Sequence, residues 1–371
     1  MKHLSHCVMY RINFIQIKDC SVGILGLGSL LLSFAAPYFD FKTRIIISSI
    51  VFVLNFFSIF WFMAHHVTNI KRESFKIVMY GFGALYFATV LFIHYYPINE
   101  LQIVLKYVKP SIRFTKVERA YMNNCNSLEN IYEKIDRFVV AHLLGWIIKG
   151  FIIRNFLYLN VDSILFELIE LKLRHILPNF YECWWDHIFL DLLGCNLFGI
   201  LLSMQVMKYF KMELYTWEIP GPKIQKKNII FPKLDKLIRS IFINSNTFAI
   251  FIFSCFIMPV ADLTIFMLKA IIQVHVEDSL LVYREVIIGF FSAVAAYELH
   301  KAIVDKLTIK RVAPIIVVTS IVVMEVIYTY RWMHVLVSDN SDRTIINIIF
   351  MALYTTAISI YSLLFVNDYV M

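Results

Sequence analysis

The sequence predicts an all-α, polytopic integral membrane bundle of about 8–10 transmembrane helices, forming a single membrane domain over 1–371. Three observations carry that expectation. The chain is 59% hydrophobic and only 17% charged, where a soluble protein is about one quarter charged. Its mean hydropathy is +0.68. Its apolar residues also gather into stretches of spanning length, with the Lys and Arg residues collected between them.

In chain order, the apolar stretches of spanning length are 21–38, 44–64, 77–97, 138–159, 186–210, 240–260, 282–299, 312–330 and 345–367. Two more, 163–177 and 261–276, are short or charged and fit half-helices, interfacial helices or further spans. Pro259 is placed to kink the run from 240 to 276. The longest polar loop is 98–137. Basic loops hold Lys71, Arg72 and Lys76, then 208–239 (with Lys208, Lys211, Lys223, Lys226, Lys227, Lys233, Lys236 and Arg239), then Lys301, Lys306, Lys310 and Arg311. The positive-inside rule puts these on the cytosolic face. The "GPK" at 221–223 marks a turn within the second of them.

Several classes are disfavoured at this stage. The formal charge of +8 is spread over interhelical loops and forms no basic domain, so it reads as topology and not as nucleic-acid binding. The six cysteines contain no C-x-x-C pair, so neither a zinc site nor a disulfide framework is expected, and Cys183 and Cys195 read as packed thiols. The first 20 residues lack the apolar core and small-residue cleavage site of a signal peptide. No internal repeat or coiled-coil heptad is visible.

Against this oily background stands "RHILPNFYECWWDHIFLDLLGCN", 174–196, with Glu182, Asp186 and Asp191, and Glu167 and Glu170 just upstream. An ionised carboxylate at mid-membrane costs about 2.5–3.5 kcal/mol even on the permissive insertion scale. Lys172 and Arg174 are too few to balance five such groups. Glu167 and Glu170 are three apart and share a helical face, and so do Glu182 and Asp186 if one helix includes both. Asn196 falls near that second face, within about 80° on an ideal helix, whereas Asp191 on an ideal helix points away, towards the face of His187, so either Asp191 serves a different partner or the helix is irregular there. Pro178 separates the acidic pairs and lets them fold back on each other. Carboxylates with Asn oxygens suit a hard cation such as calcium, magnesium or manganese. An acidic interfacial hairpin balanced by bases is the alternative.

Upstream, "RFVVAHLLGWIIKGFIIR" places His142, Trp146 and Lys149 on one helix face. His142 is a candidate general base, because its ordinary pKa lies near neutrality. Lys149 and Arg154 are candidates for contacting a phosphate or for snorkelling to the interface.

Together these stretches resemble the base-exchange phosphatidylserine synthases of the animal type. "LPNFYECWWDHIFLDLLGCN" follows that family's L-P-N-F-x-E-C-W-W-D run, then L-D, then C-N. "FELIEL" keeps its two glutamates, "HLLGWIIKGFIIR" follows its H-x-x-G-W…K…R segment, and "MELYTW" keeps Y-x-W at Tyr215 and Trp217. The specific match covers about 142–217, within a catalytic core segment of 138–217. Ser203 stands where glycine is usual, Ala141 stands before the histidine where glycine is expected, Asp262 replaces a glutamate, and an Arg-Pro-His segment tied to product inhibition is missing near Lys71–Lys76. By this resemblance the chain looks like a divergent member.

The resemblance implies head-group exchange. L-serine replaces choline or ethanolamine on phosphatidylcholine or phosphatidylethanolamine to give phosphatidylserine, with Ca2+ as cofactor, in the endoplasmic reticulum membrane, with a homodimer as the expected assembly. Carried onto matching positions, His142, Asp191 and Asn196 are the catalytic candidates. Glu167, Glu170, Glu182 and Asp186 are the metal candidates, and Asn179, Lys149 and Arg154 are the substrate candidates. Two rivals are weighed. A CDP-alcohol phosphatidyltransferase of the kind built on an Asp-Gly motif is disfavoured, because no Asp-Gly dipeptide occurs. A transporter or receptor using an intramembrane acid/His pathway would be supported by inverted repeats, and none is seen.

Overall fold

The computed structural model describes residues 17–336 except 66, 68–70, 72, 116–124, 127–136, 175, 219–232, 234–240, 243–244, 276–277 and 306–307. The expected span 345–367, the "GPK" turn and most of the basic loop 208–239 lie outside the described residues, as does much of the polar loop 98–137. The described residues form helices, and the one β contact among them is an isolated bridge, Phe114 to Val274. Among the described residues, seven helical segments are long and apolar enough to cross a membrane: Ser21–Tyr38, Phe41–Ala64, Ser74–Ile93, Asp186–Tyr209, Thr247–Ile272, Ser279–Val304 and Arg311–Val335, with a shorter apolar helix at Val139–Ile153. The expected all-α, multi-pass class is borne out.

The chain divides into two compact units, Met1–Val117 with Thr264–Arg331, and Glu118–Leu263 with Trp332–Met371. The first holds α1 (Ile17–Ala35), α2 (Phe41–Ala64), α3 (Ser74–Ile93) and α4 (Ile98–Val108). It also holds the end of α8 (Ser245–Ile272), then α9 (Ser279–Val304) and most of α10 (Ile309–Trp332). Asp40 starts α2 by accepting hydrogen bonds from the N–H groups of Lys42 and Thr43. Gly83 of α3 lies against the Phe291 ring of α9, where an added Cβ would stand 2.5 Å from ring carbon, so any larger residue would force the buried Phe291 ring to shift. Polar side chains here find partners within the unit. Asn55 donates to Ser29 Oγ at 3.0 Å, and Arg44 pairs with Glu100 at 2.6 Å. In hydrocarbon an unmet polar group costs several kcal/mol, so such pairs are a condition of spanning. Large apolar side chains at Ile46, Phe57 and Trp61 of α2 stay exposed, as expected for a lipid-facing surface.

The second unit holds α5 (Arg137–Ile153), α6 (Phe156–Leu173), a π-helix (Asp186–Leu197) running straight into α7 (Phe198–Tyr209), and the start of α8. Here the expected span 138–159 is corrected. Arg154 takes a left-handed conformation, φ 52°, which ends α5, and the Asn155 side chain caps α6 by accepting from Tyr158 N–H. Residues 163–173 of the short stretch 163–177 are therefore the latter part of α6 and not a separate helix. Conversely, one helix, α8 (Ser245–Ile272), takes in parts of both 240–260 and 261–276 and continues through Pro259. The corner at 154–155 explains Tyr215 and Trp217. Tyr215 N–H donates to the Arg154 carbonyl at 3.1 Å, and Trp217 Nε1 donates to the Ile153 carbonyl at 3.0 Å. Carbonyls freed at the end of α5 are thereby satisfied. Trp146, Leu159 and Ile200 form the adjoining apolar core. Gly150 faces Ser203, whose hydroxyl turns back onto the Ile200 carbonyl at 2.7 Å.

Candidate active site

Four elements of the second unit bring the acidic and histidine side chains together: α5, α6, the 3-10 turn Pro178–Phe180 with the irregular residues after it, and the π-helix. The π-helix resolves the puzzle of Asp191. Its buried residues are Asp186, His187, Asp191, Cys195 and Asn196, recurring at intervals of four and five. That spacing follows the wider i→i+5 winding of a π-helix and not the α period. Asp191 therefore turns to the same side as Asp186: of the two alternatives, the irregular helix is the one observed, and only the ideal-helix direction is corrected. The condition that one helix include both Glu182 and Asp186 is not met: residues 181–183 precede the helix, and the Cys183 carbonyl accepts hydrogen bonds from the N–H groups of Asp186 and His187. Carboxylate oxygens of Glu182, Asp186 and Asp191 still lie within 4.8 Å of one another.

His142 is the centre of the second half of the site. Its Nε2 stands 2.7 Å from Asn196 Oδ1, and Asn196 Nδ2 donates to Ser163 Oγ and to Glu167 Oε1, both at 2.9 Å. A carboxylate only accepts, so the Asn196 amide must present its nitrogen to Glu167 and its oxygen to His142. The neutral His142 ring then carries its proton on Nε2, which leaves the lone pair on Nδ1. That nitrogen lies 4.0 Å from Asp191 Oδ1. Trp146 Nε1 also reaches Nε2, at 3.2 Å, and can donate to it only when that nitrogen is unprotonated.

Glu167 and Glu170 face this centre from α6, and both are buried. His187 Nδ1 lies 3.2 Å from Glu167 Oε2 and 3.9 Å from Glu170 Oε2. Glu170 is within electrostatic reach of Glu167, Glu182, Asp191 and Asp186, so the five carboxylates form one cluster. Asn179 sits on the 3-10 turn with a buried Oδ1 that has no hydrogen-bond partner.

Two expected substrate contacts have other work. Lys149 pairs with Asp162 at 2.9 Å and with Asp262, and lies over the Trp146 ring at 4.1 Å. Arg154 donates to the carbonyls of Phe151 and Glu213 and covers the Tyr215 ring at 4.8 Å. Lys149 is thus held among two carboxylates, and Arg154 belongs to the helix corner. The cysteine expectation is corrected as well: Cys125 and Cys183 form a disulfide, while Cys195 is a free buried thiol. Trp185 Nε1 donates to the Cys125 carbonyl at 2.9 Å, so the bond and this contact together hold the start of the acidic motif.

Ser163, Asp162 and His187 were not singled out by sequence reasoning. Ser163 and Asp162 become visible only through partners on other helices. His187 had a signal, adjacency to Asp186, but an α-helical projection sets it with Asp191 on the opposite side.

A cation such as Ca2+ binds oxygens at 2.3–2.6 Å, and so spans about 4.6–5.2 Å from ligand to ligand. The all-oxygen trio Glu182, Asp186 and Asp191 fits that requirement. Beside it stands a histidine whose free nitrogen faces the acids. Such an arrangement can remove a proton from a hydroxyl while charge at a nearby oxyanion is offset.

Comparison with known proteins places these features in a wider group. Residues 71–333 match the family model described as phosphatidyl serine synthase. The chain is 31% identical over 281 residues to CDP-diacylglycerol--serine O-phosphatidyltransferase 2 of Oryza sativa subsp. japonica, covering 71% of this chain and 66% of the relative. It is 32% identical over 248 residues to CDP-diacylglycerol--serine O-phosphatidyltransferase 3 of the same organism, covering 62% and 59%. It is 31% identical over 249 residues to phosphatidylserine synthase 2 of Homo sapiens, covering 62% and 51%. The chain thus spans about half to two thirds of the length of these curated relatives.

Proposed function

The chain belongs to the phosphatidylserine synthase family, and from that premise we propose that it makes phosphatidylserine by exchanging the head group of an existing phospholipid. L-Serine is the incoming alcohol, and choline or ethanolamine is the alcohol displaced from phosphatidylcholine or phosphatidylethanolamine. The observation that carries this reading is the His142–Asn196–Glu167 relay, which directs a proton-free Nδ1 towards Asp191 and the acid cluster.

The chemistry follows from these positions. His142 Nδ1 takes the hydroxyl proton of serine as its oxygen attacks phosphorus, and the bond from phosphorus to the head-group oxygen breaks. The same nitrogen then returns the proton to the departing alcohol, so protons and charge balance over one exchange. Asn196 holds the ring by accepting from Nε2–H throughout. Asp191, 4.0 Å from Nδ1, stabilises the imidazolium that forms transiently. A Ca2+ ion held by Glu182 and Asp186, with Glu167, Glu170 or Asp191, would neutralise charge developing at the phosphate. Asn179, whose Oδ1 lacks a partner, is suited to accept from the serine amine or hydroxyl. Because Lys149 and Arg154 are engaged elsewhere, recognition of the phosphate falls to the cation site.

A second reading concerns the phosphatidyl donor. The rice relatives carry CDP-diacylglycerol in their names, so the missing Asp-Gly motif speaks only against the other phosphatidyltransferase family and not against that donor. One experiment separates the two. Membranes containing this protein are incubated with labelled serine and either phosphatidylcholine, phosphatidylethanolamine or CDP-diacylglycerol, with and without EGTA. Label entering phosphatidylserine from the first two donors, with release of choline or ethanolamine and loss in EGTA, supports head-group exchange. Incorporation only with CDP-diacylglycerol, with CMP released, overturns it in favour of the second reading.

Residence in the endoplasmic reticulum and assembly as a homodimer belong to the same proposal. The disulfide supports the location, since such bonds persist on the oxidising side of a membrane. The cytosolic face then belongs to the other end of Asp186–Tyr209, where Lys208 and Lys211 stand. Co-localisation with a lumenal marker and protection of a tag placed beside Cys125 from added protease would test it.

A further inference from the structure

We propose that Lys149 is a positioning residue for the reaction: its ammonium ties α5 to α6 and α8 and holds the Trp146 indole against His142, which fixes the imidazole in the site. The proposal rests on the reading above that His142 is the base.

The contacts run without a gap from the ammonium to the base. Lys149 Nζ lies 2.9 Å from Asp162 Oδ2 on α6, and it also pairs with Asp262 on α8. The same ammonium stands over the Trp146 ring, 4.1 Å from its centre, where a cation is attracted by the π face. Trp146 Nε1 in turn lies 3.2 Å from His142 Nε2, which also faces Asn196 Oδ1 at 2.7 Å. In the reacting tautomer Asn196 accepts the Nε2 proton and the indole edge acts as a wall on the ring, leaving Nδ1 towards Asp191. A second route runs along α6. Asp162 holds Lys149, and the next residue, Ser163, accepts from Asn196 Nδ2 at 2.9 Å. The clamp therefore reaches both groups that touch Nε2.

Its place in the fold suits that task. His142 precedes Lys149 by seven residues, about two turns of α5, and Glu167 follows Asp162 by five residues on α6. The clamp thus lies between the corner at 154–155 and the site, where it ties together the helices that carry the base and the first two acids.

Stability gives little reason for these charges. One ammonium meets two carboxylates, Asp162 is buried, and its Oδ1 has no hydrogen-bond partner. Replacing a buried ion pair with well-packed apolar groups of similar volume is often neutral or stabilising. What apolar groups would not supply is a fixed direction for the indole and, through it, for His142, and small misplacements of a reacting group are costly in rate.

The test measures serine incorporation into phosphatidylserine by the purified full chain, with whichever donor the wild type accepts, giving kcat per folded protein and KM for serine. Lys149→Met should lower kcat by about 10–10²-fold while KM stays within about twofold. The triple variant Lys149→Met, Asp162→Leu, Asp262→Leu removes all three charges. Its melting temperature should be close to that of the wild type while its kcat stays low. Because Lys149 acts through Trp146, the kcat losses of Lys149→Met and Trp146→Phe should not multiply in the double variant. A kcat restored in the triple variant, or a triple variant that does not fold, would make the cluster part of the fold alone and overturn the proposal. So would losses that multiply, or a Lys149→Met that raises KM and keeps kcat, the mark of a substrate contact. These outcomes leave the assigned reaction standing, whereas a wild type that incorporates no serine from any donor overturns that reading and the proposal together.

Discussion

Two buried charged clusters of this molecule have opposite characters. In the first unit, Glu325 of α10 is fully buried and accepts from Arg284 of α9 at 2.8 Å and 3.0 Å, from Thr264 at 2.7 Å, and from Tyr86. One carboxylate is matched by one guanidinium and two hydroxyls, and all of them come from the chain. In the second unit, five carboxylates converge, and Glu167 and Glu170 face a histidine instead of an arginine or lysine. A buried acid whose countercharge is supplied by the chain serves the fold, whereas acids massed around histidines are costly in stability, which is what the proposed catalytic role would explain.

Substitutions in the two clusters should have opposite consequences. The largest effect should come from His142→Ala, which removes the base and should lower serine incorporation by about 10²–10⁴-fold. Expression and thermal stability should stay close to wild type, as read by fluorescence-detected size-exclusion chromatography on heated samples. Equal losses of activity and of folded protein would instead place His142 with the structural charges.

Next comes Glu325→Gln set beside Glu182→Gln. Removing the Glu325 charge strands a buried Arg284 and should destabilise the first unit by about 3–5 kcal/mol, seen as a large fall in melting temperature. Glu182→Gln should leave the melting temperature in EGTA unchanged or raise it, because one of several repelling carboxylates is gone. It should also remove most of the stabilisation that added Ca2+ provides. If the two variants behave alike, the distinction between the clusters fails.

The disulfide should rank third. It closes a separation of 58 residues, for which chain entropy gives about 4 kcal/mol as an upper expectation. Cys125→Ser should lower stability by less than that and weaken Ca2+ binding, since Cys183 lies beside Glu182 and its carbonyl holds the N–H groups of Asp186 and His187. Maleimide should label Cys183 only after reduction.

The smallest effect concerns Asp278, outside the spans. Burial alone would raise its carboxyl, but the Lys109 ammonium and the Leu280 N–H outweigh that and hold it below its ordinary value. A carboxyl whose pKa is lower when folded contributes stability above its unfolded value of about 3.9 and loses it as pH falls through the folded value. Asp278→Asn should cost about 1 kcal/mol at neutral pH and narrow the gap to wild type below about pH 4. A pH titration of the melting temperature would show this. An unchanged gap at low pH would mean that the cap, and not the charge, is what matters.

Much of the fold and some of the site were legible in advance. Spanning segments follow from hydropathy summed over about 20 residues, a local property. The identities of His142, the five carboxylates, Asn179 and Asn196 were equally plain, because polar groups in an oily chain are costly and few. Helix boundaries were less legible. Arg154 ends α5 by a backbone turn with no Gly or Pro to announce it, and Pro259 leaves α8 whole.

By itself, then, the sequence determined an all-α membrane bundle and an acidic and histidine-bearing stretch destined for one unit of it. Tertiary structure alone decided that Asp191 joins Asp186, through a π-helix that the α period cannot anticipate. It also decided that Cys125 pairs with Cys183, that Lys149 is held by Asp162 and Asp262, and that Asn196 sets the His142 tautomer. The physical reason is the same for each. Hydropathy and helical tendency are sums over neighbours along the chain, whereas pairings and orientations depend on groups that packing brings from other helices.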